Sequence, residues 1–355
     1  MKKEIDREPC RHVTIRDVAR AAGASVSTVS AALNNTDYVS KETRRRIRQA
    51  VTRLHYRPND LARSLRMRRS HALAVVVPDL SNSFYAEMLR GMEDHAQSFG
   101  YILLIGDSRE SWNEEKKILD AFNRRRVDGV VRIPAADDVS RQARVLLEHI
   151  PVVYADRLPR ERTPRVACVS IDNVQAAYEA CRYLIHMGHR RMAVITGPLS
   201  ARSSADRLQG CRRALRDFKI PLPQGRVRVV DFEIASGSRE AADLLTGRNR
   251  PTAIFCTNNT LTLGALVAVQ RLGLRCPEEI SLLGFDDSYW STMVRPRLTM
   301  VRQPARDIGM TAVRILIDYL EERTTVFRDQ LLPTQLMIRD SCAPPPEQGD
   351  SVRGS

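Results

Sequence analysis

The sequence has few features of a membrane, secreted or metal-binding protein. No apolar run approaches the roughly 18 residues that a membrane-spanning helix needs, and the strand-like runs are short, such as Ala72 to Val77. The polar N-terminus MKKEIDREPC lacks the apolar segment of a secretory signal. The seven cysteines, at positions 10, 168, 181, 211, 256, 276 and 342, include no CxxC pair. This spacing argues against a disulfide framework or a zinc site and predicts a reducing, cytoplasmic location.

Signatures of common enzyme classes are also missing. The sequence contains no GxxxxGK[ST] phosphate loop, no GxGxxG after a strand, no HExxH and no GxSxG elbow. His186 and His189 flank Gly188, a pattern more typical of a helix end than of a metal site. We therefore expect no catalytic residue, no metal site and no cofactor, and an enzyme stays open only as an alternative.

The charge of the chain is unevenly distributed. Residues 1–70 contain 17 Lys and Arg against 7 Asp and Glu, whereas the other 285 residues contain 39 against 35. A fifth of the chain thus carries most of the net charge of +14. A basic segment on a nearly neutral body is typical of proteins that bind the phosphate backbone of nucleic acid. Its helical patterning argues against a merely solvated tail.

Three short helices are predicted after a flexible leader, residues 1–12. Thr14 and Asp17 form a capping box for the first helix, and Gly23 ends it. Ser25 and Ser40 can cap the second and third helices. Two capped helices around a glycine turn have the spacing of a helix-turn-helix, whose second helix enters the DNA major groove. A generic helical hairpin is the alternative, and the basic charge disfavours it.

From Ala72 onward, apolar strands alternate with amphipathic helices. We predict helices near 86–99, 175–187 and 262–272. The predicted strands are 73–77, 102–105, 129–133, 152–154, 193–195, 227–230, 253–255 and 280–284. Continuous apolar strands between helices indicate an α/β fold with parallel sheets covered on both faces. One barrel or two doubly wound lobes would both satisfy this pattern.

Several of these strands end in a polar residue. The residues at these strand ends are Asp79, Asp107, Asp156, Thr196, Asp231, Asn258 and Asp286. Ligands of open α/β sheets bind at the carboxyl ends of the strands, and such side chains could hold a hydroxylated small molecule. For any single residue, capping of the next helix is the more common role.

The N-terminal segment resembles the LacI/GalR family of bacterial transcription regulators. The resemblance is carried by VTIRDVARAAGASVSTVSAALNN and VSKETRRRIRQAVTRLHYRPNDLARSLR, and it continues through most of the chain. The later matching segments are PDLSNSFYAEMLRGMEDHAQSFGY, PVVYADR, HMGHRRMAVITGP, DRLQGCRRAL, TAIFCTNNTLTLGAL and ISLLGFDDSYW. It implies a helix-turn-helix domain at 13–58, a hinge helix and linker at 59–70, and a two-lobed core like periplasmic binding proteins at 71–340. Residues 341–355 are expected to be a disordered tail.

The resemblance also implies the residues that contact DNA. Val26 and Ser27 match base-reading positions, and Ala31 matches one that often carries arginine in the family. Thr14, Thr28, Ser30, Asn34 and Tyr38 match positions that contact or support the phosphates. Asn59 and Ala62 lie in the segment that matches the hinge helix, and Leu65 matches the wedge that enters the minor groove.

The same comparison implies an effector site between the lobes. Asp156, Arg207, Asn258 and Asp286 match positions that hold polar groups of the effector, and Tyr85 matches an aromatic position lining the cleft. Asp79 and Asn82 are weaker candidates. A surface salt bridge is the alternative role for Arg207. Asn259 stands where many members carry aspartate, which alters the polarity of the cleft.

These inferences predict a sequence-specific transcription regulator, most simply a repressor. Its partners are double-stranded operator DNA, a small-molecule effector such as a sugar or sugar acid, and a second copy of the chain in a homodimer. No membrane partner is expected, and the location is the cytoplasm, at the nucleoid. The alternatives are a cytoplasmic ligand-binding module, or an enzyme on the same core, with a non-specific basic N-terminus.

Overall fold

The computed structural model of the chain describes residues 13–33, 39–56, 69–135, 140–159, 166–247 and 249–346. These residues form two compact units, which divide between Ser70 and His71. No helix in the described ranges is both long and apolar enough to cross a membrane.

The first unit contains three helices, α1 (Ile15–Ala22), α2 (Val26–Leu33) and α3 (Lys41–Arg53). Val18, Val29 and Ile47 supply one fully buried side chain from each helix to a shared apolar core. Gly23 ends α1 with a φ of 56°, a left-handed conformation that glycine adopts without steric cost. The three predicted helices are thus all present.

The second unit is an α/β structure with two six-stranded sheets. Its helices are α4 (Ser83–Ser98), α5 (Trp112–Arg124), α6 (Ser140–Leu146), α7 (Asn173–His186), α8 (Arg202–Asp217), α9 (Ile234–Thr246), α10 (Asn259–Arg271) and α11 (Ala305–Leu320). Its strands are β1 (Ala72–Val77), β2 (Ile102–Asp107), β3 (Gly129–Arg132), β4 (Val152–Ala155), β5 (Val166–Ser170), β6 (Met192–Thr196), β7 (Val227–Val229), β8 (Ala253–Cys256), β9 (Ser281–Phe285), β10 (Thr299–Arg302), β11 (Gln330–Leu331) and β12 (Gln335–Met337).

The two sheets have the same internal topology. The strand order is β11-β5-β4-β3-β1-β2 in lobe 1 and β12-β10-β9-β8-β6-β7 in lobe 2. All described pairings are parallel except that of β10 with β12. In register, Val75 of β1 lies between Ile105 of β2 and Val131 of β3. Two doubly wound lobes are therefore present, and the barrel alternative is wrong.

The chain crosses between the lobes three times. It leaves lobe 1 after β5, since α7 packs on α8 of lobe 2. It returns after β10, because α11 packs on α4 and on β3, β4 and β5. It crosses again between β11, which pairs with β5, and β12, which pairs with β10. Residues that follow β1 and β2 of lobe 1 and β6 and β7 of lobe 2 line one cavity, so strand ends of both lobes flank a shared cleft.

The predicted disordered tail begins too early. Ser341 is fully buried, where its hydroxyl donates to Leu282 O at 2.6 Å and accepts from Thr299 N at 2.8 Å. The Ala343 carbonyl lies 2.9 Å from Nε2 of the buried His189. Residues 341–346 are therefore part of lobe 2, held by polar contacts that an apolar-periodicity argument does not detect.

Candidate functional site

The first unit presents the start of α2 to solvent. Val26 is 42% exposed and Ser27 is exposed, whereas Val29 and Ala32 are buried in the three-helix core. Leu33 packs against that core, and Thr28, Ser30 and Ala31 are half-buried. An exposed helix N-terminus with short side chains can approach base edges in a major groove. Two of the three predicted base-reading residues, Val26 and Ser27, are thus exposed, whereas the third, Ala31, is half-buried against the three-helix core.

Side-chain caps fix the ends of these helices. Asp17 Oδ2 accepts from the Thr14 backbone N–H at 2.9 Å and from its hydroxyl at 2.7 Å. Ser25 Oγ accepts from Thr28 N at 3.0 Å and lies 2.7 Å from Ser27 Oγ. The first cap fixes the start of α1, and the second fixes the start of α2 after the loop that joins the two helices. The remaining DNA candidates, Asn34, Tyr38, Asn59, Ala62 and Leu65, lie outside the described residues.

The polar cleft of the second unit is built on two aspartates. Asp156 follows β4 and Asp286 follows β9, the fourth strand in chain order of each lobe. Both adopt a left-handed backbone, with φ of 59° and 64°, and both are buried. Aspartate is among the few non-glycine residues that tolerate this conformation. Neither residue begins a helix, so the capping role does not apply to this pair.

Arg207 of α8 connects several parts of this cleft. Its Nε donates to Asn173 Oδ1 at 2.8 Å, and its Nη1 donates to Thr257 O at 2.7 Å and to Asp286 Oδ2 at 3.4 Å. The guanidinium lies 3.8 Å from the centroid of the Phe285 ring, within cation–π distance. Arg207 is 4% exposed. A surface salt bridge is therefore the wrong description of this residue.

Burial shifts the protonation equilibria of the cleft. Desolvation raises the pKa of Asp156 to about 6, against the lowering effect of Arg207 and Arg157. Desolvation by burial also raises the pKa of the Tyr85 hydroxyl. Arg157 lowers this pKa, and the carboxylates of Asp156, Glu110 and Asp286 raise it further. The carboxyl of Asp156 is thus balanced between its protonated and ionised forms near pH 6.

Arg157, Glu110, Phe232 and Gln303 belong to this cleft but are not among the sequence candidates. Arg157 donates to both oxygens of Glu110 at 2.7 Å and stacks 4.9 Å from the Phe232 ring centroid. Burial alone would lower the pKa of Arg157, but Glu110 raises it above its ordinary value. Gln303 Nε2 donates to Asp286 Oδ1 at 2.5 Å. Arg157 directly follows Asp156 in PVVYADR, and Phe232 directly follows Asp231, so adjacency to the strand-end candidates was the available signal.

The other predicted effector residues lie at the edges of the cleft. Asn258 caps α10 through Leu261 N at 2.9 Å, and Asn82 caps α4 through Phe84 N at 3.0 Å. Asp79 accepts from the backbone and hydroxyl of Ser81 at 2.8 and 2.6 Å. These three side chains therefore make the helix-cap or turn hydrogen bonds that were the alternative to ligand binding. Asn259 Nδ2 donates to Asn82 Oδ1 at 2.8 Å and thereby bonds lobe 2 to lobe 1.

A cavity of about 550 Å³ opens at the mouth of the cleft. It is lined by residues that follow β1, β2, β6 and β7, namely Pro78, Asp79, Arg109, Glu110, Pro198, Ser200, Asp231, Phe232 and Glu233. Its size suits a small metabolite. Among the described residues, no group of three or more His, Cys, Asp or Glu is placed to hold a metal ion.

Comparison with known proteins relates both units to one family. Residues 14–59 match the family "Bacterial regulatory proteins, lacI family", and residues 181–342 match the periplasmic binding protein-like domain. Catabolite control protein A of Priestia megaterium is 34% identical over 331 residues, covering 93% of this chain and 99% of that protein. The chain belongs to the lacI family.

Other lacI-family proteins are similar over nearly the whole chain. The transcriptional repressor CytR of Escherichia coli K12 is 34% identical, covering 92% of this chain and 96% of its own length. The lac repressor dimer bound to operator and the anti-inducer ONPF superposes with a TM-score of 0.83 at 26% identity, covering 94% of this chain and 100% of that one. A CelR–cellobiose complex is 30% identical with a TM-score of 0.71, over 93% and 100%. This lacI-family chain is a DNA-binding transcription regulator controlled by a small-molecule effector.

Proposed function

We propose that the chain represses transcription by binding a near-palindromic operator as a homodimer, and that a sugar-like effector in the cleft changes its affinity for that operator. One observation carries the proposal: a single chain combines the exposed start of α2, at Val26 and Ser27, with a buried polar cleft around Asp156, Arg207 and Asp286. The relative CytR, which is named as a transcriptional repressor, supports this direction of control.

Base reading is assigned to the start of α2. The Val26 side chain can meet a thymine methyl group, and the Ser27 hydroxyl can pair with several base edges. The Ala31 side chain has no hydrogen-bond donor. It therefore cannot make the bidentate contact to guanine that an arginine at this position would make. Thr14, Thr28 and Ser30 are assigned to phosphate contact or support. In the first two, a hydroxyl that now bonds within its own cap, to Asp17 or Ser25, would turn to the phosphate.

The remaining DNA contacts are assigned from the resemblance alone. Asn34 and Tyr38 would contact or support phosphates, and Asn59 and Ala62 would belong to a hinge helix that orders on DNA. Leu65 would enter the minor groove and kink the duplex at the centre of the operator. A two-fold symmetric dimer places two helix-turn-helix units on two half-sites, which predicts a palindromic sequence. The lac repressor structure is itself described as a dimer on its operator.

The cleft is assigned to the effector. Its aspartates, Arg207 and two phenylalanine rings provide acceptors, donors and apolar faces, the combination that polyhydroxylated rings require. The CelR structure is described as a complex with cellobiose, which supports a sugar or a sugar derivative. Effector and operator each change the affinity of the other by the same factor, whether the effector induces or corepresses.

The test is a binding-site selection with the full-length chain on a random duplex library, followed by a salt titration. We expect enrichment of a palindrome with a steep loss of affinity as salt increases. The Val26→Ala, Ser27→Ala double variant should change the enriched half-site. Val145→Ala, on exposed α6, is the matched control and should leave it unchanged.

The outcomes separate the proposal from its alternatives. Salt-sensitive binding without an enriched sequence, in the presence and absence of sugars, would contradict operator recognition and favour a module with a generic basic N-terminus. Chemical conversion of a bound small molecule would favour the enzyme alternative. Unchanged effector binding in both Arg207→Ala and Asp286→Ala would show that the effector binds elsewhere.

A further inference from the structure

Three buried polar atoms of the cleft have no hydrogen-bond partner among the described residues. They are Asp156 Oδ1, Arg157 Nε and Gln303 Oε1. All three side chains belong to residues no more than 5% exposed. Buried polar atoms are nearly always paired in proteins, and in a cleft that binds a ligand the polar groups of the ligand can complete these hydrogen bonds.

The unpaired atoms comprise two acceptors and one donor. The carboxylate of Asp286 can only accept, so the Gln303 amide must turn its NH₂ group toward Asp286 and keep its oxygen unpaired. Nη1 and Nη2 of Arg157 already donate to Glu110 and to the Pro134 carbonyl, whereas its Nε–H has no partner. A matching ligand must therefore supply two donors and one acceptor. Hydroxyl groups can do both, whereas a carboxylate only accepts.

Neither of the two buried arginines in the cleft, Arg157 and Arg207, offers uncompensated positive charge to an anion. Glu110 forms a bidentate pair with Arg157, and Asp286 neutralises Arg207 at 3.4 Å. Asp156 adds a further carboxyl beside both arginines. At the mouth, Asp79, Asp231 and Glu233 outnumber the single Arg109. The charge along the whole entry path thus disfavours a negatively charged ligand.

We infer that the Glu110–Arg157 ion pair makes the cleft selective for an uncharged, hydroxyl-bearing effector against its carboxylate counterpart. This inference rests on the proposed effector role of the cleft and narrows its ligand from "sugar or sugar acid" to the neutral sugar. Glu110 acts as the specificity-determining residue, because it cancels the one guanidinium that stacks on the aromatic ring of the opposite lobe.

The test measures binding of matched probe pairs to the full-length chain by calorimetry. The pairs are glucose and glucuronate, galactose and galacturonate, ribose and ribonate, and cellobiose and cellobionate. We expect the neutral member of a binding pair to bind at least about tenfold more tightly than its acid, because like charges meet in the cleft. Glu110→Gln should reduce this preference by about tenfold, because Arg157 then attracts the carboxylate.

Two further variants make the result specific. Glu110→Asp retains the charge and should keep the preference for the neutral member. Glu114→Gln removes an exposed carboxylate on α5 that pairs with Lys117. This variant should also keep the preference for the neutral member of a probe pair. Thermal melting of each variant establishes that the fold is intact, and if Glu110→Gln fails to fold, Glu110→Ala replaces it.

The possible failures are distinguishable. The selectivity would be overturned if the wild-type chain bound the acid more tightly, or if folded Glu110→Gln kept the same preference. In either case the cleft remains the effector site as long as Asp286→Ala abolishes binding. Binding that survives Asp286→Ala would overturn the cleft assignment itself. If no pair binds while operator binding is intact, the sugar class and this inference both fail.

Discussion

At the scale of single residues, the two cleft aspartates occupy equivalent places in the two lobes. Asp156 and Asp286 each follow the fourth strand of a lobe with a left-handed backbone. Asn258, which follows the third strand of lobe 2, instead has an extended backbone and caps the next helix. The two aspartates thus turn the chain without starting a helix, whereas the extended backbone of Asn258 directly precedes one.

The raised pKa of Asp156 predicts pH-dependent effector binding. A ligand hydroxyl that donates to the carboxylate favours the ionised form, so binding lowers a pKa that stands at about 6 in the free protein. Effector affinity should therefore fall by up to about tenfold per pH unit below pH 6. Calorimetry in buffers of different ionisation enthalpy should show a proton released on binding near pH 6.

The same pKa predicts a stability cost at neutral pH. The unfolded carboxyl ionises near 3.8 and the folded one near 6, so the unfolded state loses its proton first and stability falls as pH rises through this window. The shift corresponds to about 3 kcal/mol at pH 7. Asp156→Asn should raise the melting temperature at pH 7. It should also remove the increase in melting temperature that the wild-type protein shows between pH 7 and pH 5, and it should weaken effector binding. A lower melting temperature in this variant would contradict burial of the charged form.

The strand-end members of the candidate site were predictable from the sequence pattern, and the family resemblance added Arg207 and Tyr85. Asp156 and Asp286 follow apolar strands, and that position can be read directly. Gln303 follows an unpredicted strand, and Glu110 lies three residues beyond the end of its strand. Their roles depend on which loops the two lobes bring together, and this is a long-range property that local periodicity does not contain.

At the scale of elements, glycines allow the helices of lobe 1 to approach closely. A Cβ at Gly91 of α4 would lie 2.1 Å from the Arg306 carbonyl oxygen, and one at Gly309 of α11 would lie 2.1 Å from the Met88 carbonyl oxygen. Both obstacles are backbone atoms, which cannot move aside as a flexible side chain can. The short distance between α4 and α11 therefore depends on two glycines, one in each helix, that each face the backbone of the other helix.

Gly91→Ala should destabilise the protein although alanine is the better helix former. The propensity gain is at most about 1 kcal/mol, whereas forcing the helices apart costs about 1–3 kcal/mol. We expect a net loss of unfolding free energy, measured by urea denaturation. Gly225→Ala is the control, because a Cβ there meets no heavy atom within 4 Å and the substitution should be nearly neutral. Equal stability of the two variants would show that α4 and α11 can separate at no cost.

Element prediction found the strands with continuous apolar runs but missed two largely buried strands that contain small or polar residues. The fully buried β1 and β6 were predictable from their sequence. The strand Val166–Ser170 has the small residues Ala167 and Ser170, and Thr299–Arg302 has only four residues with polar ends, so neither stood out. Both are nevertheless largely buried and paired with a neighbouring strand on each side, and these neighbours supply the stabilising contacts that the local sequence does not reveal.

At the scale of the second unit, direct hydrogen bonds join the two lobes beside the cleft. Asn259 Nδ2 of lobe 2 bonds to Asn82 Oδ1 of lobe 1 at 2.8 Å, and Ser83 Oγ of lobe 1 bonds to Ser288 Oγ of lobe 2 at 2.9 Å. These bonds are uncharged. They should therefore hold the lobes together equally well at low and high salt, unlike a charged pair.

Asn259→Ala should shift the ligand-free protein toward an open cleft. Loss of a neutral hydrogen bond is worth about 0.5–1.5 kcal/mol, which changes the ratio of closed to open forms by about 2- to 12-fold. Effector affinity should fall by a similar factor, because the closed form binds the ligand between the lobes. Small-angle scattering should show a larger radius of gyration without effector, and the wild-type radius at saturating effector.

Asn113→Ala, an amide deletion on the exposed surface of α5, is the control and should change neither quantity. A wild-type radius with weakened binding in Asn259→Ala would mean that Asn259 acts on the ligand rather than on the lobes. A larger radius with unchanged affinity would mean that effector binding does not require closure. Because the Asn259 bond to Asn82 spans the lobes while the Asn258 side chain caps α10, the neighbouring variant Asn258→Ala should lower stability without opening the cleft.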